Sequence, residues 1–265
     1  ELASALPGDT LGYVGFGDPG ETLKSLLRQA RTTEPGLAAA VGDLLQRVRR
    51  LGEVDLEEDL LPSLGGEAAI ALQPAPGGSE IPFLELIAAD VDADRASEAL
   101  ARLVGPIAQA LDLSSGLQAP VVSQREVGDL TAHSVRVSPT VELTYAVDGS
   151  TLVIATDPAA VKQLESGEGG LDAQRLFERA TEGFGGDLSM LGYLDLGGLI
   201  ALGERAGLSE DPAYATFASE IQKLRAFGLA IRSSPEELST DASLIVGGGD
   251  SPETIETPEG VPPTD

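Results

Sequence analysis

The sequence predicts an α+β fold: a mixed, largely antiparallel sheet with helices on one face, built from two related strand-helix-helix-strand-strand halves joined by a β-meander. Three observations carry this. Residues 120–156 alternate apolar and polar side chains in short runs broken by turn residues, the pattern of consecutive antiparallel strands. Residues 94–111 carry apolar side chains at helical spacing. Leu11-Gly12-Tyr13-Val14 and Leu191-Gly192-Tyr193-Leu194 each open the same succession of elements, two helices and then two strands. Residues 1–246 are therefore read as one domain, with related halves at about 8–95 and 186–246 and the meander 120–156 between them. Residues 247–265, rich in Gly, Pro, Thr and Glu with almost nothing to bury, are expected to be a disordered acidic tail.

Each element has a local reason. The first strand is the apolar run Thr10 to Phe16. Helices follow from about Gly20 to Arg31 and from Pro35, a favoured first-turn residue, to Leu51. Asp55 with Glu58 three residues on makes a capping box for a short turn to Leu61, which Leu64-Gly65-Gly66 ends. Strands Glu67–Gln73 and Ile81–Asp90 come next. In the helix Asp94–Leu111, Ala96, Ala99, Leu100, Leu103, Ile107 and Leu111 share a face, and Gly105-Pro106 is expected to kink or split it. The meander reads as strands Val121–Val127, Leu130–Ser138, Val141–Val147 and Thr151–Thr156, with Asp148-Gly149 as its hairpin turn. Asp157-Pro158 starts a helix to Leu164, and a second helix spans Asp172–Thr181. A strand Leu188–Asp195 and a helix Gly198–Ala206 follow. Asp211-Pro212 begins a helix with Tyr214, Phe217, Ala218, Ile221 and Leu224 on one side, before closing strands Phe227–Arg232 and Leu238–Val246.

Composition removes whole classes of chemistry. Among 265 residues the net charge is −26 and the pI about 4.2, a surface that repels phosphate backbones and argues against a nucleic-acid partner. With no Cys, disulfide, thiolate and Cys-zinc chemistry are absent. Aromatic residues are 4% and Trp is missing, which argues against the aromatic platforms of a carbohydrate-cleaving site. No apolar run reaches the ~18 residues of a membrane span. The chain opens on Glu1, as a processed or trimmed chain does, so no leader or anchor is judged from it.

Four patterns invite a chemical reading. Gly15, Gly17 and Gly20 form G-x-G-x-x-G, the outline of a dinucleotide loop. Asp18 and Glu21 occupy the helix start that a pyrophosphate would need, and no strand follows until Glu67, so the motif reads as a strand-to-helix turn with no cofactor. His133, the one histidine, lies in a strand on the parity of Val135 and Val137; it reads as a partly buried, hydrogen-bonded sheet residue, with Ser134 on the other face and no nucleophile elbow in the chain. Asp90, Asp92 and Asp94 lack the Gly and closing Glu of a calcium loop, and Asp92 or Asp94 serves as a helix cap. The abundant carboxylates leave room for a pair able to cleave a glycosidic bond. No catalytic or metal residue is assigned.

Three stretches resemble the bacterial family called domain of unknown function 3352. They are the opening Leu6-Pro7-Gly8-Asp9-Thr10-Leu11-Gly12-Tyr13-Val14, the run Asp59-Leu60-Leu61-Pro62-Ser63-Leu64-Gly65-Gly66-Glu67, and the strand-to-helix phrase Leu86-Ile87-Ala88-Ala89-Asp90-Val91-Asp92-Ala93-Asp94-Arg95-Ala96. The motifs are caps and turns and bring no catalytic residue with them. The resemblance implies a protein exported to the bacterial envelope and tethered by a segment ahead of this domain. The expected function is a non-enzymatic extracytoplasmic binding or scaffold module, with an envelope hydrolase using paired carboxylates as the alternative.

One cluster opposes the global charge: Arg28, Arg31, Arg47, Arg49 and Arg50, from the two helices after the first strand. Cations near helix C-termini favour the helix dipole; as a surface they would dock an envelope protein or an anionic cell-wall polymer. Replacing Arg47, Arg49 and Arg50 by Glu is expected to abolish capture of that partner in a pull-down from cell envelope while the circular dichroism spectrum stays unchanged. Undiminished capture by the triple variant refutes the docking role.

Overall fold

The computed structural model describes residues 2–22, 39, 42, 46, 49–50, 61–75, 81–111, 122–127, 130–136, 141–166, 170–233, 238–247 and 253–254. Its strands are β1 (Gly12–Gly17), β2 (Glu67–Gln73), β3 (Phe83–Ala89), β4 (Val122–Val127), β5 (Leu130–Arg136), β6 (Glu142–Asp148), β7 (Thr151–Ala155), β8 (Met190–Asp195), β9 (Leu224–Ser233), β10 (Leu238–Val246) and β11 (Glu253–Thr254). The helices are α1 (Ala93–Leu111), α2 (Ala159–Ser166), α3 (Arg175–Ala180), α4 (Leu196–Arg205) and α5 (Pro212–Ile221). The fold is α+β, and all described strands join one sheet in the order β11-β10-β9-β8-β1-β2-β3-β7-β6-β5-β4, each neighbouring pair antiparallel.

Helices cover both sides of this sheet, which corrects the expectation of one helical face. Adjacent residues on a strand point to opposite faces, and the core divides along that parity. Ala68, Ala88, Tyr145 and Leu152 pack with Ala99, Leu100 and Leu103 of α1. Ala69, Ile87 and Val153 pack with Ala160 of α2, Phe177 and Ala180 of α3, Leu2 and Ala3 of the N-terminal 3-10 turn, and Leu6 just after it. The physical reason lies in the central strands: β2 and β3 are apolar at odd and even positions alike, so each face needs a cover. On the α1 side Ile70, Leu84 and Leu194 are exposed.

The two Leu-Gly-Tyr stretches meet at the centre of the sheet. β1 and β8 pair with Tyr13 opposite Tyr193, and the order runs outward as β2-β3 on one side and β9-β10 on the other. The meander β4–β7 separates these halves in sequence but not in space, since β7 extends the sheet beyond β3.

Local chemistry explains most boundaries. Asp211 accepts bonds from the N–H groups of Ala213 (2.7 Å) and Tyr214 (3.4 Å) and Pro212 takes the first turn, starting α5. Asp157 accepts from Ala159 N (2.8 Å) ahead of α2, and Asp195 from Gly198 N (2.8 Å) ahead of α4. α1 is one continuous helix through Gly105-Pro106, where a kink or a split was expected; it is not split. The β6–β7 turn falls one residue later than expected. Asp148 still pairs with Thr151, so the loop is Gly149-Ser150, with Gly149 at φ +56° in the first central position that a type II′ turn reserves for glycine. On α5 Tyr214 is buried, whereas Phe217, expected on the same face, is 60% exposed. Residues 19–22 are helical, as are Ala39, Gly42, Gln46, Arg49 and Arg50. The remainder of the two expected early helices, the turn at Asp55 and most of the tail lie outside the described residues; within the tail, Glu253–Thr254 pairs with β10.

One close approach sets how α3 sits. A Cβ on Gly228 of β9 would overlap the carbonyl oxygen of Ala180 at the end of α3. Gly228→Ala is therefore expected to lower stability by about 2–3 kcal/mol in urea unfolding. Gly66→Ala, with open space around the site, is expected to stay within about 0.5 kcal/mol of wild type.

Candidate functional site

A groove opens where α1 crosses the meander. Asp92 fixes the start of α1: its carboxylate accepts from Arg95 N (3.2 Å) and its carbonyl from Ala96 N (2.8 Å). Ala99, Leu100 and Leu103 then anchor one side of the helix in the sheet core, and Ser97, Glu98 and Ala101 form a wall. The opposite wall is Thr131 and His133 of β5 with Tyr145 and Val147 of β6. The cavity holds about 470 Å³, a volume suited to a small molecule.

The groove's central feature is a ring pair. His133 and Tyr145 are direct cross-strand partners, and their rings stack with centroids 4.8 Å apart and planes 10° from parallel. His133 lies half-buried on the face its parity predicts, and among the described residues its ring meets this stack, because register places an aromatic ring directly opposite. Burial raises the pKa of the Tyr145 hydroxyl. Around the rings, Thr131 Oγ1 donates toward the Glu126 carboxylate (3.3 Å), and Glu98 meets Arg102 at 3.5 Å on the exposed side of α1. The lining thus offers a neutral phenol, an imidazole, two hydroxyls and a single carboxylate. That set can orient a polar ligand; a two-carboxylate hydrolysis needs a second acid that the lining does not contain.

The residues singled out in the sequence are scattered. Arg28, Arg31 and Arg47 lie outside the described residues. Arg49 and Arg50 are exposed on helical backbone, Arg50 Nε donating to Gln46 O (3.2 Å), and neither lines the groove. In the glycine motif, Gly15 leaves room for the ring of Tyr13, two residues back on the same face; a Cβ there would overlap the phenol. Asp18, at φ +47°, accepts from Glu21 N (3.2 Å) as a cap of the helical turn. Among the described residues no three His, Asp or Glu gather as a metal site would require.

A second polar cluster, unmarked in the sequence reading, lies on the other face. Glu85 is 3% exposed and its Oε2 accepts from Gln73 Nε2 (3.2 Å); Gln73 Oε1 lies 3.0 Å from Thr10 Oγ1. Burial pushes the Glu85 carboxyl up to about 7, against the opposing pull of the Gln73 bond. Its signal was available in Phe-Leu-Glu-Leu-Ile: a carboxylate at an inward position of a strand apolar on both sides.

No family model matches the chain, and no curated protein does. Three solved structures similar to it are crystal forms of TP0453. Form III has 12% identity over 94% of this chain and 81% of that one, with a TM-score of 0.45. Form I has 12% over 95% and 81%, with 0.43, and form IV 12% over 91% and 79%, with 0.42. No residue role is carried across from them.

The ring stack is expected to contribute energy beyond its buried area. A double-mutant cycle of His133→Ala and Tyr145→Ala, read by urea unfolding, is expected to return a coupling of about 0.5–1.5 kcal/mol. Strict additivity of the two substitutions would remove the stack as an organising contact.

Proposed function

We propose that the chain is a non-enzymatic, extracytoplasmic bacterial envelope protein, a binding module whose ligand site is the groove between α1 and the meander. The single observation that carries the reading is that groove: a preformed cavity of about 470 Å³ with the His133–Tyr145 stack in one wall, hydroxyls on both walls and one carboxylate. Small-molecule sites are of this size, with a few polar groups that fix orientation on a more apolar lining. Envelope placement rests on the resemblance of the three structural motifs quoted above. Among the described residues no helix is long and apolar enough to cross a membrane. The arginine cluster, where it docks an anionic polymer or an acidic envelope protein, supplies a second surface away from the groove.

His133 is the one histidine in the chain, so its ring proton is an unambiguous reporter in a proton NMR spectrum. Titration with chitooligosaccharides and with short cell-wall peptides is expected to move that signal in a saturable way for at least one of them, and Tyr145→Ala to abolish the shift while the remaining spectrum stays dispersed. An immobile His133 signal with every probe at millimolar concentration ends the groove reading. Separately, fractionation of cells producing the native protein is expected to recover it in the envelope, and recovery in the cytosol ends the localisation.

A further inference from the structure

The groove makes no use of the buried carboxyl on the opposite face of the sheet, and the surroundings of that carboxyl are specific. Glu85 sits in the middle of β3, between Ala71 of β2 and Ala155 of β7. Gln73 is fully buried and bridges Glu85 to Thr10. The Thr10 hydroxyl also lies 2.6 Å from Pro7 O. The polar chain therefore begins inside the sheet core and ends on the backbone of the N-terminal segment. That segment is fastened elsewhere as well: Leu2 N donates to the Glu67 carboxylate (3.2 Å), Leu11 N to Leu72 O (2.9 Å), and Leu6 O accepts from Gly170 N (2.9 Å) and Leu171 N (3.0 Å). Beneath it lie Ala71, Phe83 and Ile87 of the core.

We propose that Glu85, buried beneath the N-terminal segment and tied to it through Gln73 and Thr10, is a pH-sensitive latch: while its carboxyl is neutral residues 2–11 stay against the sheet, and its ionisation loosens them because the cost of burying the charge outweighs the stronger bond from Gln73. A carboxylate in this position would be a buried negative charge without a cation. The titratable groups on the same face of the neighbouring strands are Tyr13 of β1 and Glu67 of β2, neither of which supplies positive charge; the turn Leu2–Ala5 and β7 bring none, Asp9 of the segment and Lys162 of α2 are exposed, and on α3 Arg175 and Glu178 are exposed and Arg179 is half-buried, with no hydrogen bond or ion pair to Glu85 from either arginine. His133 lies on the opposite face, opposite Tyr145 of the α1 core. Of the elements that cover this face, residues 2–11 are the ones whose backbone the Glu85–Gln73–Thr10 chain reaches, so solvation of an ionised Glu85 lifts that segment.

The raised carboxyl pKa described above agrees with this. For a carboxyl whose folded value lies above its ordinary 4.5, the stabilisation is complete below about 4.5 and lost as pH rises through about 7, after which it levels off. The segment is thus held in mildly acidic solution and released in mildly alkaline solution.

The test is amide hydrogen exchange of the intact chain, with protection factors corrected for the intrinsic pH dependence of exchange. Between pH 5 and pH 8 the opening of peptide 2–11 is expected to rise on the order of tenfold to a hundredfold, while β9 stays protected. Glu85→Gln, which keeps the shape and the hydrogen-bonding capacity without the ionisation, is expected to flatten the profile. A wild-type profile flat over this range overturns the latch, as does an undiminished pH dependence in Glu85→Gln. The carbon-13 signal of the Glu85 carboxyl gives a reading on the wild type that does not rely on the variant folding. Its midpoint is expected to coincide with that of segment opening, and a midpoint in the ordinary carboxylate range overturns the proposal.

Discussion

The pairing of β1 with β8 is the contact on which the rest of the structure depends. It joins strands far apart in sequence, Tyr13 to Tyr193, so its closure costs chain entropy that local hairpins do not. Side-chain packing at the seam offsets that cost. Tyr13 and Tyr193 stand opposite each other, and Phe177 of α3 meets both edge-on, at 6.0 and 5.1 Å between ring centroids. The chain has four Tyr, six Phe and no Trp, so three of its few aromatic rings are concentrated here. Both tyrosine hydroxyls are pushed well above their ordinary pKa, first by burial and then by a nearby carboxylate, Glu67 for Tyr13 and Asp195 for Tyr193. Gly15 and Gly228 belong to the same arrangement: one clears the ring of Tyr13, the other the carbonyl that ends α3.

With β1 held in the centre, the two faces of the sheet acquire separate duties. The α2–α3 side carries the aromatic seam, the N-terminal segment and Glu85. The α1 side carries the groove. The division is enforced by parity, because a slip of one residue in any register would exchange the two sets and bury the wrong side chains on both faces at once. A sheet with two apolar faces therefore has a more strongly specified register than one with a wet face, and the match of Tyr13 to Tyr193 and of His133 to Tyr145 follows from that constraint.

The legible and illegible parts of this structure divide according to range. β2 and β10 fall where short apolar runs and turn residues place them, and α1 starts within a residue of its expected limit, because those signals are local. The face of His133 was legible for the same reason. Strand order was not: nothing local to residues 120–156 says that the meander attaches outside β3 rather than between the halves. The second helical face was hinted at by the double-sided apolar character of Phe83–Ala89, which in an antiparallel sheet requires two covers. The groove depends on where α1 crosses β5 and β6, a tertiary distance that periodicity does not contain. Glu85 was overlooked among 43 acidic residues, although its neighbours distinguish it from the solvated ones.

The isolation of Glu85 follows from the row it occupies. Across the α2–α3 face the register aligns Ser123, Ser134, Thr144, Ala155 and Glu85 from β4 to β3. The first three satisfy one another: Ser123 Oγ donates to Ser134 O (3.3 Å), and the hydroxyls of Ser134 and Thr144 lie 2.9 Å apart, the latter two groups fully or almost fully buried. Ala155 interrupts the row with a methyl group, so the carboxyl beyond it has no access to those hydroxyls. On its other side stands Ala71, again a methyl. Glu85 is thereby left with Gln73, reached diagonally from the end of β2, as the neutral group that meets its oxygen. A hydroxyl at position 155 would offer the carboxylate a donor and draw its ionisation back toward the ordinary range. With methyl groups on both sides, burial remains the dominant influence on Glu85 and pushes its carboxyl up to about 7.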